Sequence, residues 1–209
     1  MTRLAAICAL IEKADVIADV GCDHGRVAEY IAGHALSRKT IASDISETCL
    51  DKARARLRGY ENVEFICCDG IDYECDEAVI AGMGGQTVIG IITRAKVKPH
   101  SLVICAHRNT CEVRGALIPL GYGIKADVMV EERGKFYSVI RAEKKSGITK
   151  LTELQRLFGV NCTEKSEPLK NYLLSLQSTY MLAPDRNEQK LKYVREALVF
   201  QGVPPDITN

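Results

Sequence analysis

Three carboxylates stand at points where short apolar runs of this sequence end. Asp23 lies in the glycine turn after the first run, Asp44 ends the second, and Asp69 follows the third. Because the carboxyl ends of parallel strands meet at one edge of a sheet, these acids are expected to line a common site. Carboxylates accept hydrogen bonds from hydroxyl and amine groups, so the pattern predicts a ligand that carries both.

The turn at 21–25 (GCDHG) differs from the dinucleotide-binding pattern G-x-G-x-x-G, because it lacks the glycine that lets the backbone approach a pyrophosphate. Asp23 would repel a phosphate but could pair with an ammonium group. Asp44 is placed for ribose hydroxyls and Asp69 for the exocyclic amine of adenine. S-adenosylmethionine combines these groups without a phosphate. Taken singly, each acid also fits a helix cap.

The elements that would position these acids alternate between strands and helices. Strands are predicted at 16–20, 40–44, 63–67, 78–81 and 102–105. Two further runs, 124–132 and 135–143, are joined at Arg133–Gly134 and predict an antiparallel hairpin. The sequence therefore predicts an α/β, Rossmann-like fold, whose mostly parallel seven-stranded sheet ends in that hairpin.

After residue 147 the composition changes, and apolar residues recur every three or four positions at 169–181 and 187–200. We therefore divide the chain into a ligand-binding domain, 1–147, and a small helical domain, 148–209. Acidic and basic residues interleave along these helices. The helices could contact RNA, or they could pack on the domain or on a second copy of the chain.

Composition limits the classes of function. The 209 residues carry 28 Lys and Arg against 27 Asp and Glu, so the net charge is +1 and the whole molecule is no polycation. A basic stretch at 94–114 could nevertheless hold phosphates. No apolar run approaches the roughly 20 residues of a membrane span, and we expect a cytoplasmic protein without membrane association. The nine cysteines form no C-x-x-C pair, so no metal site is predicted.

Four segments together resemble the bacterial tRNA (adenine-22-N1)-methyltransferase family. They are 18–24 (ADVGCDH), 68–71 (CDGI), 79–85 (VIAGMGG) and the pattern E-x-x-K-x-Y at 132–137. The resemblance implies a class I methyltransferase fold with a helical C-terminal domain. It implies methyl transfer from S-adenosylmethionine to N1 of an adenine in tRNA, which would be the partner.

The resemblance also implies which residues form the site. The residues expected to bind the cofactor are Asp19, Gly21, Cys22, Asp23, His24, Asp44, Ile45, Asp69, Gly70, Ala81, Gly82, Met83 and Gly84. Asp23 and Asn109 are the candidate catalytic residues. Adenine N1 carries an in-plane lone pair and needs no strong base, but the product ring is positively charged. A nearby carboxylate such as Asp23 would stabilise that charge as it develops.

Two alternatives remain open at this point. After the fifth strand the family tends to have Q-P-N, whereas this chain has His107-Arg108-Asn109, so a methyltransferase with another RNA or small-molecule acceptor is one alternative. The other is a non-catalytic protein that binds the cofactor or RNA. A nicotinamide oxidoreductase is less favoured, because of the missing glycine and the closing hairpin.

Overall fold

In the computed structural model, which describes residues 1–204, one seven-stranded sheet forms the centre of the protein. Its strand order is β3-β2-β1-β4-β5-β7-β6. The strands are β1 (Ala14–Val20), β2 (Ser37–Asp44), β3 (Val63–Cys67), β4 (Glu77–Ala81), β5 (Ser101–Cys105), β6 (Tyr122–Glu132) and β7 (Lys135–Lys144). The first five strands are parallel, and β7 runs antiparallel to both β5 and β6. The predicted fold class is confirmed.

Helices cover both faces of the sheet. They are α1 (Arg3–Ala9), α2 (Arg26–Gly33), α3 (Glu47–Arg56), α4 (Gly85–Arg94), α5 (Thr110–Leu117), α6 (Glu153–Phe158), α7 (Glu167–Met181) and α8 (Pro184–Phe200). Side chains of α4 and α5 pack with Ala18 and Ile80 on one face. Side chains of α1 and α2 pack with Ile17 and Val79 on the other. Successive residues of β1 and of β4 thus pack against helices on opposite faces of the sheet, because side chains alternate between the two faces along a strand.

The sheet reverses its direction of growth between β1 and β4. From β1 the chain builds outward through β2 to β3, and then returns to the other side of β1 with β4. The loops after β1 and β4 therefore leave in opposite directions, which opens a crevice at the carboxyl edge. This crevice is where the predicted site residues should meet.

The three C-terminal helices surround an apolar cluster of their own. Phe158 of α6, Leu173 of α7 and Val194 of α8 are buried in it, and Met129 of β6 packs against it from the sheet. The two long helices were predicted, whereas α1 and α6 were not. None of the helices within residues 1–204 combines the length and the apolar composition needed to cross a membrane.

Arg114 of α5 ties these helices to the sheet. Its Nε donates to Asp127 Oδ2 at 2.6 Å, and its Nη2 donates to Asp127 Oδ1 at 3.1 Å and to Ser138 Oγ at 2.8 Å. Its Nη1 donates to the carbonyl oxygens of Arg156 and Leu157 at the end of α6. Both ion-pair side chains are almost fully buried. The prediction that 94–114 is one phosphate-binding stretch is therefore wrong at Arg114.

The Arg114–Asp127 pair gives a test of this anchor. Asp127→Ala should lower the free energy of unfolding by about 3–5 kcal/mol, because it leaves a buried guanidinium without its counter-charge. The control is Glu153→Ala, which removes the half-exposed partner of Arg156 and should cost at most about 1 kcal/mol. Urea unfolding measures both. An Asp127→Ala loss no larger than the control's would show that the pair is not an anchor.

Candidate active site

A cleft of about 800 Å³ opens at the carboxyl edge of the sheet, where the strand order reverses. Most predicted site residues line it. They are Asp19, Gly21, Cys22, Asp23, His24, Asp44, Ile45, Asp69, Gly70, Ala81, Gly82 and Met83. Gly84 and Asn109 lie outside this lining. The strand-end motifs thus converge as their spacing predicted.

The turn after β1 needs a glycine at position 21. The amides of Gly21 and Cys22 both donate to the Ser43 carbonyl oxygen, at 2.8 and 2.9 Å, which holds the turn against β2. Gly21 has φ +72°, and a Cβ there would overlap the Met83 side chain. A side chain at position 21 would be strained by the left-handed backbone, and the end of the Met83 side chain would have to move. The floor of the cleft is therefore made where the β1 and β4 loops touch.

Asp44 is held by two backbone donors. Its Oδ2 accepts from the Asp23 amide at 3.1 Å, and its Oδ1 accepts from the Ser46 amide at 2.9 Å. The two bonds fix the carboxylate at the end of β2, facing the cleft. Asp23 has φ +44°, and its exposed carboxylate lies 3.6 Å from His24 Nε2. The predicted hydroxyl acceptor and the predicted ammonium partner are thus neighbours.

Asp19 is the buried acid of the cleft, with 4% of its surface exposed. Its Oδ2 accepts from the Ala28 amide at 3.0 Å, in the first turn of α2. Burial raises the pKa of Asp19 to about 7, and the charge of Asp44 adds to the rise. A cation bound in the cleft would favour the ionised form. Asp19 therefore holds α2 in place and also supplies charge that responds to a ligand.

Asp69 and Ile45 form the far side of the cleft. Asp69 Oδ1 accepts from Arg94 Nη2 at 3.1 Å, so this carboxylate is oriented by an exposed ion pair. Gly70, which follows it, has φ +91°. Ile45 is 70% exposed and offers an apolar surface beside Asp44. An exposed aliphatic side chain next to two carboxylates suits a flat ring with polar edges.

The loops after β4 and β5 are joined by backbone hydrogen bonds. The His107 amide donates to the Met83 carbonyl oxygen at 2.8 Å, and the Gly85 amide donates to the Arg108 carbonyl oxygen at 3.0 Å. A Cβ at position 85 would lie only 2.8 Å from the carbonyl oxygens of Arg108 and Asn109. The first turn of α4 therefore lies directly against the β5 loop.

Sequence reasoning missed a cluster at the mouth of the cleft. Arg3 Nη1 lies 2.7 Å from His107 Nε2, and its guanidinium lies 5.0 Å from the centre of the Tyr137 ring. Burial, followed by the charges of Arg3, Arg108 and Lys135, lowers the pKa of His107. Since arginine can only donate, Nε2 is the acceptor and the imidazole is neutral.

Asn109 lies on the other side of the β5 loop, outside the cleft. It begins α5 with φ +61°, and its Nδ2 donates to Glu112 Oε1 at 3.0 Å. It lines a second cavity of about 360 Å³ between the sheet and the C-terminal helices. The structure thus places the two candidate catalytic residues in different cavities, and only Asp23 is in the cleft.

The environment of Cys22 disfavours its thiolate. All nine cysteines, which lie within residues 1–204, are free. Burial raises the pKa of Cys22, with further contributions from Asp19 and Asp44, so its thiol stays protonated. Within the described part of the chain, no three or more His, Cys, Asp or Glu side chains are grouped to hold a metal ion.

Comparisons with known proteins agree with this geometry. The family model described as "Methyltransferase domain" matches residues 1–140. A Mycoplasma pneumoniae protein described as "Putative tRNA methyltransferase" is 31% identical over 210 residues, covering 94% of this chain and 99% of that protein. The chain belongs to the methyltransferase family.

The resemblance given by the motifs is also confirmed. This methyltransferase is 26% identical over 151 residues to the tRNA (adenine(22)-N(1))-methyltransferase of Bacillus subtilis, covering 68% of this chain and 63% of that protein. The solved M. capricolum TrmK, in complex with the cofactor product S-adenosyl-homocysteine, has a TM-score of 0.86 and 21% identity. The match covers 96% of this chain and 98% of the TrmK chain. That likeness shows the same fold over nearly the whole length.

Asp19 of this methyltransferase gives a pH test. Its pKa rises from 3.8 to about 7 on folding, so the folded state binds more protons than the unfolded state between these values. The contribution of Asp19 to stability is present below pH 4 and is lost as the pH rises through 7. Relative to Asp19→Asn, wild-type stability should therefore fall from pH 5 to 7 and level off above 7.

Urea unfolding at half-unit pH steps measures this difference, and Asp15→Asn, an exposed position on the same strand, gives the background. A difference between wild type and Asp19→Asn that stays constant across this range would contradict the assignment.

Proposed function

We propose that this protein transfers a methyl group from S-adenosylmethionine to N1 of an adenine in tRNA, at position 22. The observation that carries the proposal is the cleft in which Asp44, fixed by two amides, faces the buried Asp19 and the exposed Asp23. Hydroxyl acceptors and negative charge without a phosphate cradle suit this cofactor. The name of the Bacillus subtilis relative supplies the acceptor and its position, and a tRNA substrate would place the protein in the cytoplasm.

Different residues of the cleft would contact different parts of the cofactor. Asp44 would accept from the ribose hydroxyls, and Asp69 would accept from the adenine amine beside the apolar surface of Ile45. The negative charge of Asp19 and Asp23 would face the amino-acid ammonium and the sulfonium. When bound, S-adenosylmethionine supplies a methyl group on positively charged sulfur.

The acceptor needs positioning more than activation. Because the adenine N1 lone pair is free at neutral pH, no side chain has to remove a proton before attack. The ring becomes a cation after methylation, and the carboxylate of Asp23 would stabilise that charge. The neutral His107 and the cation of Arg3 stand where the acceptor would enter. Most of the rate enhancement would come from holding adenine N1 in line with the methyl group and the sulfur at the mouth of the cleft.

The two units would share the work. In this proposal residues 1–147 bind the cofactor and carry the chemistry, and residues 148–209 form the domain that extends the RNA-binding surface; positions 205–209 of that domain lie outside the described residues. The separate apolar cluster of α6, α7 and α8 supports that division.

The acceptor is tested by nucleoside mass spectrometry. Unmodified tRNA incubated with the protein and S-adenosylmethionine should yield 1-methyladenosine, and fragment mapping should locate it at position 22. A tRNA with guanosine at position 22 is the matched control and should gain no methyl group. Methylation of another nucleoside would support the alternative with a different RNA acceptor. Binding of cofactor and tRNA without turnover would support the non-catalytic alternative.

Asp44 tests the cofactor site. Asp44→Ala should weaken binding of S-adenosylhomocysteine by about 10- to 100-fold, because hydrogen bonds to a charged acceptor contribute about 1.5–3 kcal/mol. Asp51→Ala, an exposed acid on α3 outside the cleft, should leave the affinity unchanged. Calorimetry measures both, with urea unfolding as the check on folding. An unchanged affinity in a folded Asp44→Ala protein would refute the ribose assignment.

A further inference from the structure

The second cavity has the chemistry of a site for a flat ring. It lies between β7, the start of α5 and the helices α7 and α8, and has a volume of about 360 Å³. We call it the aromatic pocket, and we define it by Phe136, Tyr172, Tyr180, Arg108 and Lys190, which line it. Its size lies within the range of small-ligand sites.

Aromatic faces make up much of this pocket. The rings of Phe136 and Tyr172 lie 5.4 Å apart between centres and are inclined by 52°. Tyr180 stands nearby on α7, with the Lys190 ammonium 5.4 Å from its ring centre. All three aromatic side chains are partly exposed, and Tyr172 and Tyr180 also pack against the apolar cluster of the C-terminal helices. Inclined, accessible rings form a surface on which another planar ring can stack.

The charge around the pocket is of one sign. Arg108 and Lys190 contribute cations to the lining, and none of the lining residues that the structure describes is an aspartate or glutamate. Arg114 also lines the pocket, but its charge is compensated by Asp127. Aromatic faces bordered by uncompensated cations match a ring that is attached to phosphate, and this combination recognises unstacked bases of single-stranded RNA.

The pocket lies next to the catalytic cleft. His107 lines both cavities, so the loop at 107–109 is a ridge that separates them. We infer that the aromatic pocket binds an unstacked nucleobase of the substrate RNA close in sequence to the target adenine. The RNA strand would then cross the His107 ridge with the target in the cleft and its neighbour in the pocket. This inference rests on the proposed function, since it names a second contact with the same substrate.

Two variants remove stacking surface without touching the cleft. Phe136→Leu and Tyr180→Leu should each weaken tRNA binding by about 5- to 100-fold, the range expected for loss of one base stack. S-adenosylhomocysteine affinity should be unchanged. Tyr193→Leu is the matched control, because Tyr193 packs against the same helical cluster without lining the pocket. Fluorescence anisotropy with labelled tRNA transcripts measures binding, and urea unfolding checks each variant.

The base itself is identified by coupling. We consider a series of transcripts, each with a single abasic nucleotide at one of the positions within three of the target. One transcript of the series should bind the wild-type protein more weakly, by about the factor expected for the leucine variants. For Phe136→Leu and Tyr180→Leu, the same abasic transcript should cause no further loss. The inference would be overturned if, at every position, the loss caused by the abasic nucleotide multiplied with the loss caused by the leucine substitution. Unchanged tRNA affinity in both variants would also overturn it.

Lys190→Gln covers the case in which a leucine variant does not fold. It should weaken tRNA binding and lower the slope of log affinity against log salt by about one, whereas the exposed Lys192→Gln on the same helix should leave affinity and slope unchanged. Equal effects of the two lysine variants would count against the pocket. Binding and methylation are measured separately, so the two proposals can fail separately. If the abasic transcripts and the leucine variants show the expected coupling but the wild-type protein forms no 1-methyladenosine, the proposed function is refuted and the aromatic pocket is still supported.

Discussion

The arrangement of both cavities depends on the buried guanidinium of Arg114. It joins α5, both strands of the hairpin and the last carbonyls of α6 through hydrogen bonds to Asp127, Ser138, Arg156 and Leu157. Because α5 follows directly from the loop at 107–109, fixing this helix also fixes the ridge between the cleft and the aromatic pocket. A charge that the sequence displays as part of a basic stretch is therefore a structural connection between the sheet and the C-terminal helices.

The sheet could be predicted because its strands carry strong local signals. The bounds of β3 match the prediction, and the other strands differ from it by three residues or fewer at either end. The helix α1 was missed because its seven residues are too few for a clear periodic pattern, although the Thr2 hydroxyl caps it by accepting a hydrogen bond from the Ala5 amide. Arg114 was misread because its partner Asp127 lies on a different element, and no local pattern shows that pairing.

The grouping of residues at the cleft was predictable where they belong to strand-end motifs, as with Asp23, Asp44 and Asp69, which all line it. Contacts between distant segments were not. Arg3 and His107 are 104 positions apart and meet only because α1 packs beside β5 and the hairpin. The departure at His107 from the family's usual loop was a signal that this loop is unusual, but it did not identify Arg3.

The backbone bonds between the β4 and β5 loops separate architecture from specificity. At position 107 the main chain donates to Met83, and at position 108 it only accepts from Gly85. A proline, which lacks an amide hydrogen, would remove the hydrogen bond to Met83 at position 107 but would leave the hydrogen bond from Gly85 at position 108 intact. This asymmetry accounts for how Q-P-N and His107-Arg108-Asn109 can occupy the same loop. The side chains of this loop can therefore change during evolution while the backbone around the floor of the cleft keeps its shape.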